Sequence, residues 1–379
     1  MEQMLEEFRR ITCDPYQRLA EQKGQTGGKI IGCLPMHVPE EIIHAAGMLP
    51  IVLLGSDDDI IEGSFYLARA VCHSLRGDLG MALKSKLAFL DGMIFPDCCD
   101  GERPLPGIWR RHQPLPFQHV LYIFGKVDSP TSKRYIAEQY ASLRRALEQF
   151  SGSKITDEAL RESIVTYNQN RELLRRLYQL RRSNPTLLPA TDFAAVVMSS
   201  MLMPKEDHSA LLRPLLEELE KTSKPSAHRI KVILSGQLCD QPEWEILKLM
   251  DELGMAMVDD DLYVGRKYFY TKVNEYIDPI EALVNHYIDD VPCHTKYGPK
   301  QVERHADYLL ELVKEGEAQA VVTFKLRFCE VHSFDCPAIE NRLSAAGVPH
   351  MLIETEPPTA VGRIRTQLEA FMEMLQGGG

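Results

Sequence analysis

Lys29-Ile-Ile-Gly-Cys33, Pro39-Glu-Glu-Ile-Ile-His-Ala-Ala-Gly47 and Leu49-Pro-Ile-Val-Leu-Leu54 follow one another with short connections, and their reading decides the fold. The outer two pieces are short apolar runs of strand length. The middle piece opens on proline and two acids, which suit a helix N-terminus and its positive dipole end, and it closes on a glycine, which suits a helix C-terminus. Strand, helix and strand with no hairpin dipeptide between them make a parallel crossover. Working outward, an amphipathic helix is expected over roughly Glu2–Gln22 and another over Leu67–Leu90. A buried strand comes next at Asp91-Gly-Met-Ile-Phe95, then Pro96-Asp-Cys-Cys-Asp100, and one more strand covers His119–Phe124. The pattern then turns helical over Arg134–Phe150, Asp157–Arg182 and Phe193–Glu220, and the polar Thr222–His228 reads as a linker. The βα alternation resumes with strands Ile230–Leu234, Met255–Val258, Ala320–Phe324 and His350–Ile353. Between and after them helices are expected at Glu243–Leu253, Asp278–Glu315, Cys336–Ala346 and from about Ala360. The fold class is therefore α/β: two doubly wound parallel-sheet lobes of flavodoxin or Rossmann type, residues 1–131 and 229–379, flank a helical middle region, residues 132–228.

At 379 residues the chain has room for two or three domains and for a large core that needs no disulfide staples. A hydrophobic share of 44% and a charged share of 26% are those of an ordinary globular protein. The formal net charge of -11, with no Lys/Arg-dense stripe, argues against nucleic acid as a partner, because phosphate binding needs a basic face. No window approaches 18 uninterrupted apolar residues, and the N-terminal stretch has no apolar core of a signal peptide. The expectation is a cytoplasmic protein whose nine cysteines are reduced thiols or metal ligands. The phosphate-binding, dinucleotide-binding and hydrolase signatures G-x-x-x-x-G-K-[ST], G-x-G-x-x-G and G-x-S-x-G are absent, as are H-E-x-x-H and paired C-x-x-C.

The chemistry that remains lies in where the cysteines fall. Cys98 and Cys99, Cys239, and Cys329 each come after an expected strand, the end of a doubly wound sheet at which ligands bind. Cys72 sits in Val-Cys-His-Ser-Leu-Arg-Gly, within or beside a helix. Three thiolates from separate segments could hold an iron–sulfur cluster with a fourth position open. Free cysteine is equally a small buried hydrophobe, and Cys13, Cys33, Cys293 and Cys336 are read that way. Asp259-Asp260-Asp261 reads either as a metal- or hydroxyl-binding run or as a solvated loop or cap. His37, His73, His294 and His332 read as proton donors or as satisfied structural residues. Gly362-Arg-Ile-Arg-Thr366 reads as an anion site at a helix start or as a surface helix with salt bridges.

Five segments, in order, resemble the benzoyl-CoA reductase and 2-hydroxyacyl-CoA dehydratase (D-component) family. They are Gly32-Cys-Leu-Pro-Met-His-Val-Pro-Glu-Glu-Ile-Ile-His-Ala-Ala-Gly-Met-Leu-Pro50, Asp91-Gly-Met-Ile-Phe-Pro-Asp-Cys-Cys-Asp100, Val258-Asp-Asp-Asp261, Phe328-Cys-Glu-Val-His332 and Gly362-Arg-Ile-Arg-Thr366. The resemblance implies a 4Fe-4S cluster held by three cysteines, which carry over to Cys72, Cys99 and Cys329. Of the Cys98-Cys99 doublet, Cys99 precedes Asp100 as the family's Cys-Asp pattern requires. Ser163-Ile-Val-Thr-Tyr-Asn-Gln-Asn170 and Leu234-Ser-Gly-Gln-Leu-Cys-Asp-Gln-Pro242 look most like the smaller cluster-bearing subunit of the ATP-dependent reductases. The resemblance further implies an oxidoreductase subunit that passes low-potential single electrons to an aromatic acyl-CoA, dearomatising its ring. Its partners would be a homologous larger cluster-bearing subunit, ATPase activator subunits that make good the missing P-loop, and ferredoxin. Two other readings stand beside it, a 2-hydroxyacyl-CoA dehydratase subunit that eliminates water by radical chemistry and a cluster-free structural subunit.

Overall fold

The computed structural model describes residues 1–123, 125–222, 229–236, 243–296 and 299–377. Cys239, residues 223–228 of the expected linker and residues 237–242 of the stretch Leu234–Pro242 lie outside them. The described strands form two four-stranded sheets, all parallel. The first contains β1 (Ile30–Cys33), β2 (Leu49–Val52), β3 (Gly92–Asp97) and β4 (Phe117–Tyr122) in the order β2-β1-β3-β4. The second contains β5 (Ile230–Gly236), β6 (Met255–Asp261), β7 (Ala320–Leu326) and β8 (His350–Thr355) in the order β6-β5-β7-β8. The two lobes thus repeat one winding, with topological switch points between β1 and β3 and between β5 and β7.

Side chains alternate across each sheet, so both faces are apolar and both are covered. Ile30 and Phe95 pack on one face of the first sheet with Leu79 and Trp109, while Ile31 and Ile94 pack on the other with Ile42 and Tyr140. In the second sheet Val322 and Phe324 face Leu368, and Val321 faces Leu309 and Leu343. The middle region covers one edge of each sheet, β2 and β6. The Val52 amide on β2 donates to the Met201 carbonyl at 3.1 Å, and Arg181, on the helix Asp157–Ser183, reaches the Met257 carbonyl on β6. A sheet edge closed in this way is not open to pairing with another chain.

Several boundaries differ from expectation for identifiable reasons. The first helix breaks at Asp14, whose carboxylate accepts from the Gln17 amide at 3.3 Å and restarts the chain as a second helix, Pro15–Thr26. The helix expected from Leu67 begins only at His73. The region after Asp278 is a short helix Pro279–Val284, a wider π-turn Asn285–Asp290 and, after an irregular crossing, the helix Pro299–Gly316. β6 runs on to Asp261 instead of ending at Val258, with an irregularity opposite Val232 and Ile233 that draws in the acidic run. No described helix is long and apolar enough to cross a membrane.

The helix His73–Leu83 is seated by glycines. A Cβ on Gly80 would lie 1.8 Å from the Asp59 carbonyl oxygen, and one on Gly63 would lie 1.8 Å from that of Arg76. Asp59 is pinned by Lys84 and Lys86 at 3.0 and 2.7 Å, so the obstructing backbone is anchored. Gly80→Ala is expected to cost about 1–3 kcal/mol or more in urea unfolding, the range for overpacking a close contact. Gly107→Ala, whose added methyl meets nothing within 4 Å, should not lower stability.

A buried polar node joins the two lobes through the middle region. Glu41 is fully buried beside Arg171, at 2.6 Å, and accepts from the Tyr287 hydroxyl at 2.9 Å. Its neighbour Glu40 takes the Tyr268 hydroxyl at 2.8 Å and the Lys205 ammonium at 3.3 Å. The acids expected to serve a helix dipole therefore clamp helix Glu40–Ala45 to helices of the middle region and to the segment leaving β6.

Candidate functional site

Cys72 is the residue at which the chain enters the helix His73–Leu83, its carbonyl accepting from the Arg76 amide. Cys98 and Cys99 come directly after β3, and Cys329 comes three residues after the end of β7. Because the two sheets wind identically, these are the corresponding exits of the third strand in each lobe. Phe328 adopts a left-handed backbone, φ 64°, which turns the chain so that Cys329 opens the helix Glu330–Ala345. Met36 and His37, on the loop after β1, are also left-handed at 72° and 57°. Such backbone is costly for non-glycine residues and persists where the surroundings hold it.

Contacts bring these two exits and the helix entrance at Cys72 together. The Asp100 amide donates to the Glu330 carboxylate at 3.2 Å, so the residue after Cys99 touches the residue after Cys329. Cys72 is near enough to Cys99 to raise its pKa, and a Cβ on Gly101 would fall 3.2 Å from Val71 and 3.8 Å from the Cys99 sulfur. Arg76, one turn after Cys72, reaches Glu356 at 3.8 Å, and Glu356 is bound at 2.7 Å by Arg327, two residues before Cys329. Cys98 faces elsewhere. It is buried, its thiol donates to Glu102 at 2.9 Å, and its amide donates to the same carboxylate. Burial pushes Glu102 up to about 8.

Burial also lifts the thiols, Cys329 to about 11 and Cys99 further, so both are protonated until a thiophilic metal displaces the proton. Three thiols from three segments, set at the mouth of two lobes, are a donor set that suits iron or zinc. Cys293, read as structural from the sequence, lies close enough to Cys98 and Cys329 to act on their ionisation, with its sulfur 3.1 Å from the Thr295 hydroxyl. It arrives on the irregular crossing after the π-turn, which no spacing pattern announces.

The acidic run is not solvated. Asp259 pairs with Arg182 and Arg266, Asp260 accepts from the Tyr178 hydroxyl and the Arg266 amide, and Asp261 pairs with Lys267 at 2.9 Å and His305 at 2.8 Å. Burial and the adjacent Asp259 raise Asp260 to about 6. For Asp261 burial acts in the same upward sense, but Lys267 and His305 outweigh it and hold the carboxyl at about 2. The four histidines singled out in the sequence are all buried. Burial drives His37 and His332 down to about 3 and His294 well below its usual range, so these three are neutral at physiological pH. His305, missed in the sequence, packs against His294 with the rings tilted by 32°. On the last helix, Arg365 pairs with Glu252 at 2.7 Å and Arg363 donates to the Glu354 carbonyl, which is the surface salt-bridge reading of that segment.

Beside Cys72 a cleft of about 440 Å³ opens between the lobes, walled by Ser56, His73 and Ser74 on one side and by Trp244, Pro358 and Thr359 on the other.

Residues 35–375 match the family model described as 2-hydroxyglutaryl-CoA dehydratase, D-component. A benzoyl-CoA reductase subunit from Thauera aromatica is 30% identical, with 92% of this chain and 91% of that protein aligned. The beta subunit of (R)-phenyllactyl-CoA dehydratase from Clostridium sporogenes is 28% identical over 97% and 98%. The beta subunit of (R)-2-hydroxyglutaryl-CoA dehydratase from Acidaminococcus fermentans is 29% identical over 98% and 99%.

Proposed function

The chain belongs to the 2-hydroxyglutaryl-CoA dehydratase D-component family, and from that premise we propose that it is the iron–sulfur subunit of a benzoyl-CoA reductase. Relatives along nearly the whole chain are subunits of acyl-CoA reductases and dehydratases, so an enzyme subunit with a partner is the common ground. The observation that carries the proposal is the meeting, at one lobe interface, of the segments bearing Cys72, Cys99 and Cys329, with Cys98 turned away onto Glu102.

In this reading Cys72, Cys99 and Cys329 hold a 4Fe-4S cluster, which when bound supplies single electrons at low potential. The chain's own contribution is positioning and shielding. Glu330 on the Asp100 amide and Glu356 between Arg76 and Arg327 hold the two lobes together on either side of the thiols. The thiols themselves lie at least half-buried, away from bulk water. A homologous larger subunit, ATPase activator subunits, ferredoxin and a cytoplasmic setting complete the proposal, with an aromatic acyl-CoA as electron acceptor.

The dehydratase relatives, at 28–29% identity over 97–98% of the chain, favour a second reading in which the same centre serves radical elimination of water from a 2-hydroxyacyl-CoA. Counting electrons separates the two. A complex purified without oxygen and supplied with ATP, reductant and benzoyl-CoA should consume reductant in step with ring reduction. Turnover of a 2-hydroxyacyl-CoA on catalytic reductant, with benzoyl-CoA untouched, would establish the second reading. A colourless preparation free of iron and sulfide would refute both and leave a structural subunit.

A further inference from the structure

Against His332 and Asp335 of the helix opened by Cys329, the second lobe buries a group of side chains that the proposed electron chemistry does not use. Asp261 ends β6, His294 lies on the irregular crossing, and His305 belongs to the helix Pro299–Gly316. One ligand atom from each lies within 4.8 Å of the others, and the three residues are 0%, 1% and 2% exposed. We infer that Asp261, His294 and His305 form a binding site for a zinc-class divalent ion, separate from the cysteine centre.

The surroundings are those that a metal site requires. His294 engages Asp335 through Nδ1 at 2.9 Å, which leaves its Nε2 buried and without a hydrogen-bond partner. A carboxylate on one ring nitrogen fixes the tautomer and turns the lone pair of the other toward the ion, the usual outer partner of a metal-bound histidine. His332 stacks on His294 with ring centres 4.3 Å apart and holds the ring in place, while His305 packs on it at 4.1 Å. Asp261 is divided in the same manner. One oxygen faces Lys267 at 2.9 Å, and the other lies 2.8 Å from His305 Nε2, a separation that two ligands of one ion can share. Lys267 cancels the charge of Asp261 on one oxygen, and the other, beside His305, also accepts from the Ser235 hydroxyl at 3.3 Å.

The donor set of two neutral imidazoles and one carboxylate suits zinc, cobalt or iron(II) in preference to the soft sulfur chemistry of the cysteines. Such an ion would staple the end of β6 to the crossing and to the helix that comes after it. Those are the segments that carry Cys293 toward the lobe interface and pack behind the helix opened by Cys329.

Cobalt(II) is the probe, because its visible bands report on the ligand set without any need for activity. The full chain, purified with its partner, stripped with chelator and titrated with Co²⁺, should show tetrahedral bands distinct from the thiolate-to-cobalt charge transfer that any cobalt on the cysteines would give. The same bands should survive in a Cys72→Ala, Cys99→Ala, Cys329→Ala triple variant, so that failure of the cluster proposal is told apart from failure of this one. His294→Gln and His305→Gln should abolish them, and Asp335→Asn should weaken binding about 10- to 100-fold. Zinc should raise the melting temperature of the wild-type chain and leave that of His294→Gln unmoved, with circular dichroism in chelator confirming that the variant is folded. Absence of binding by the wild-type chain, bands that persist in His305→Gln, or bands lost in the cysteine variant would each overturn the site.

Discussion

If the proposed cluster assignment holds, replacing Cys329 with alanine is expected to strip the purified complex of the iron and sulfide assigned to this chain and to lower acyl-CoA turnover by more than about 100-fold. Losing one outer partner of a metal ligand costs about 10–100-fold, and loss of a ligand itself should exceed that. The fold should survive, because the Cys329 side chain makes no capping hydrogen bond. The turn is held by its backbone, with the Ser333 amide and hydroxyl on the Cys329 carbonyl at 3.0 and 2.8 Å. Cys72→Ala and Cys99→Ala should behave alike. Cys98→Ala should keep its iron, because that thiol is spent on Glu102, and the pair of results decides between the two members of the doublet. Iron and sulfide assay with EPR of the reduced complex makes the measurement. Full iron in Cys329→Ala would remove the basis of the cluster assignment.

The second large effect is expected from Arg171→Leu, which should destabilise the protein by about 3–5 kcal/mol, the cost of leaving one member of a buried ion pair without its partner. Glu41 would then be an anion deep in the molecule that keeps the Tyr287 hydroxyl but has lost its ion-pair partner, with Lys205 acting on it through space. The double variant Glu41→Leu, Arg171→Leu should recover much of that loss, since the uncompensated charge goes with the carboxylate. Urea unfolding of the two single variants and the double variant, monitored by a probe in each lobe, reads the coupling. The node clamps the first lobe to the middle region and to the segment leaving β6, so the surfaces that carry Cys72, Cys99 and Cys329 should loosen as well. A double variant as unstable as the sum of the singles would mean that the two side chains act independently.

The two α/β lobes and the helical middle were legible because a strand buried on both faces writes an apolar run, and its crossover helix writes a 3.6-residue period, whatever the remainder of the chain does. The same local signals placed Cys98, Cys99 and Cys329 at strand exits and Cys72 at a helix margin, and resemblance selected three of them. Other features lay beyond any local pattern. Asp259, Asp260 and Asp261 read either as a metal- or hydroxyl-binding run or as a solvated loop or cap, and they are core residues, since Arg182, Arg266, Lys267 and Tyr178 arrive from other segments to neutralise or bind them. His305 and Cys293 carried no signal because their surroundings are assembled from chain segments about 40 or more residues apart, such as Asp261 with His305 and Asp335 with His294.

Sequence alone determined the class of fold and which thiols stand at the working ends of the sheets, because periodicity and chain order are local properties. Only the tertiary structure decided which thiol of the doublet turns to Glu102, which acids lie in the core, and which histidines gather behind the interface. Those outcomes depend on charge compensation and packing between segments that meet only when both lobes close on the middle helices.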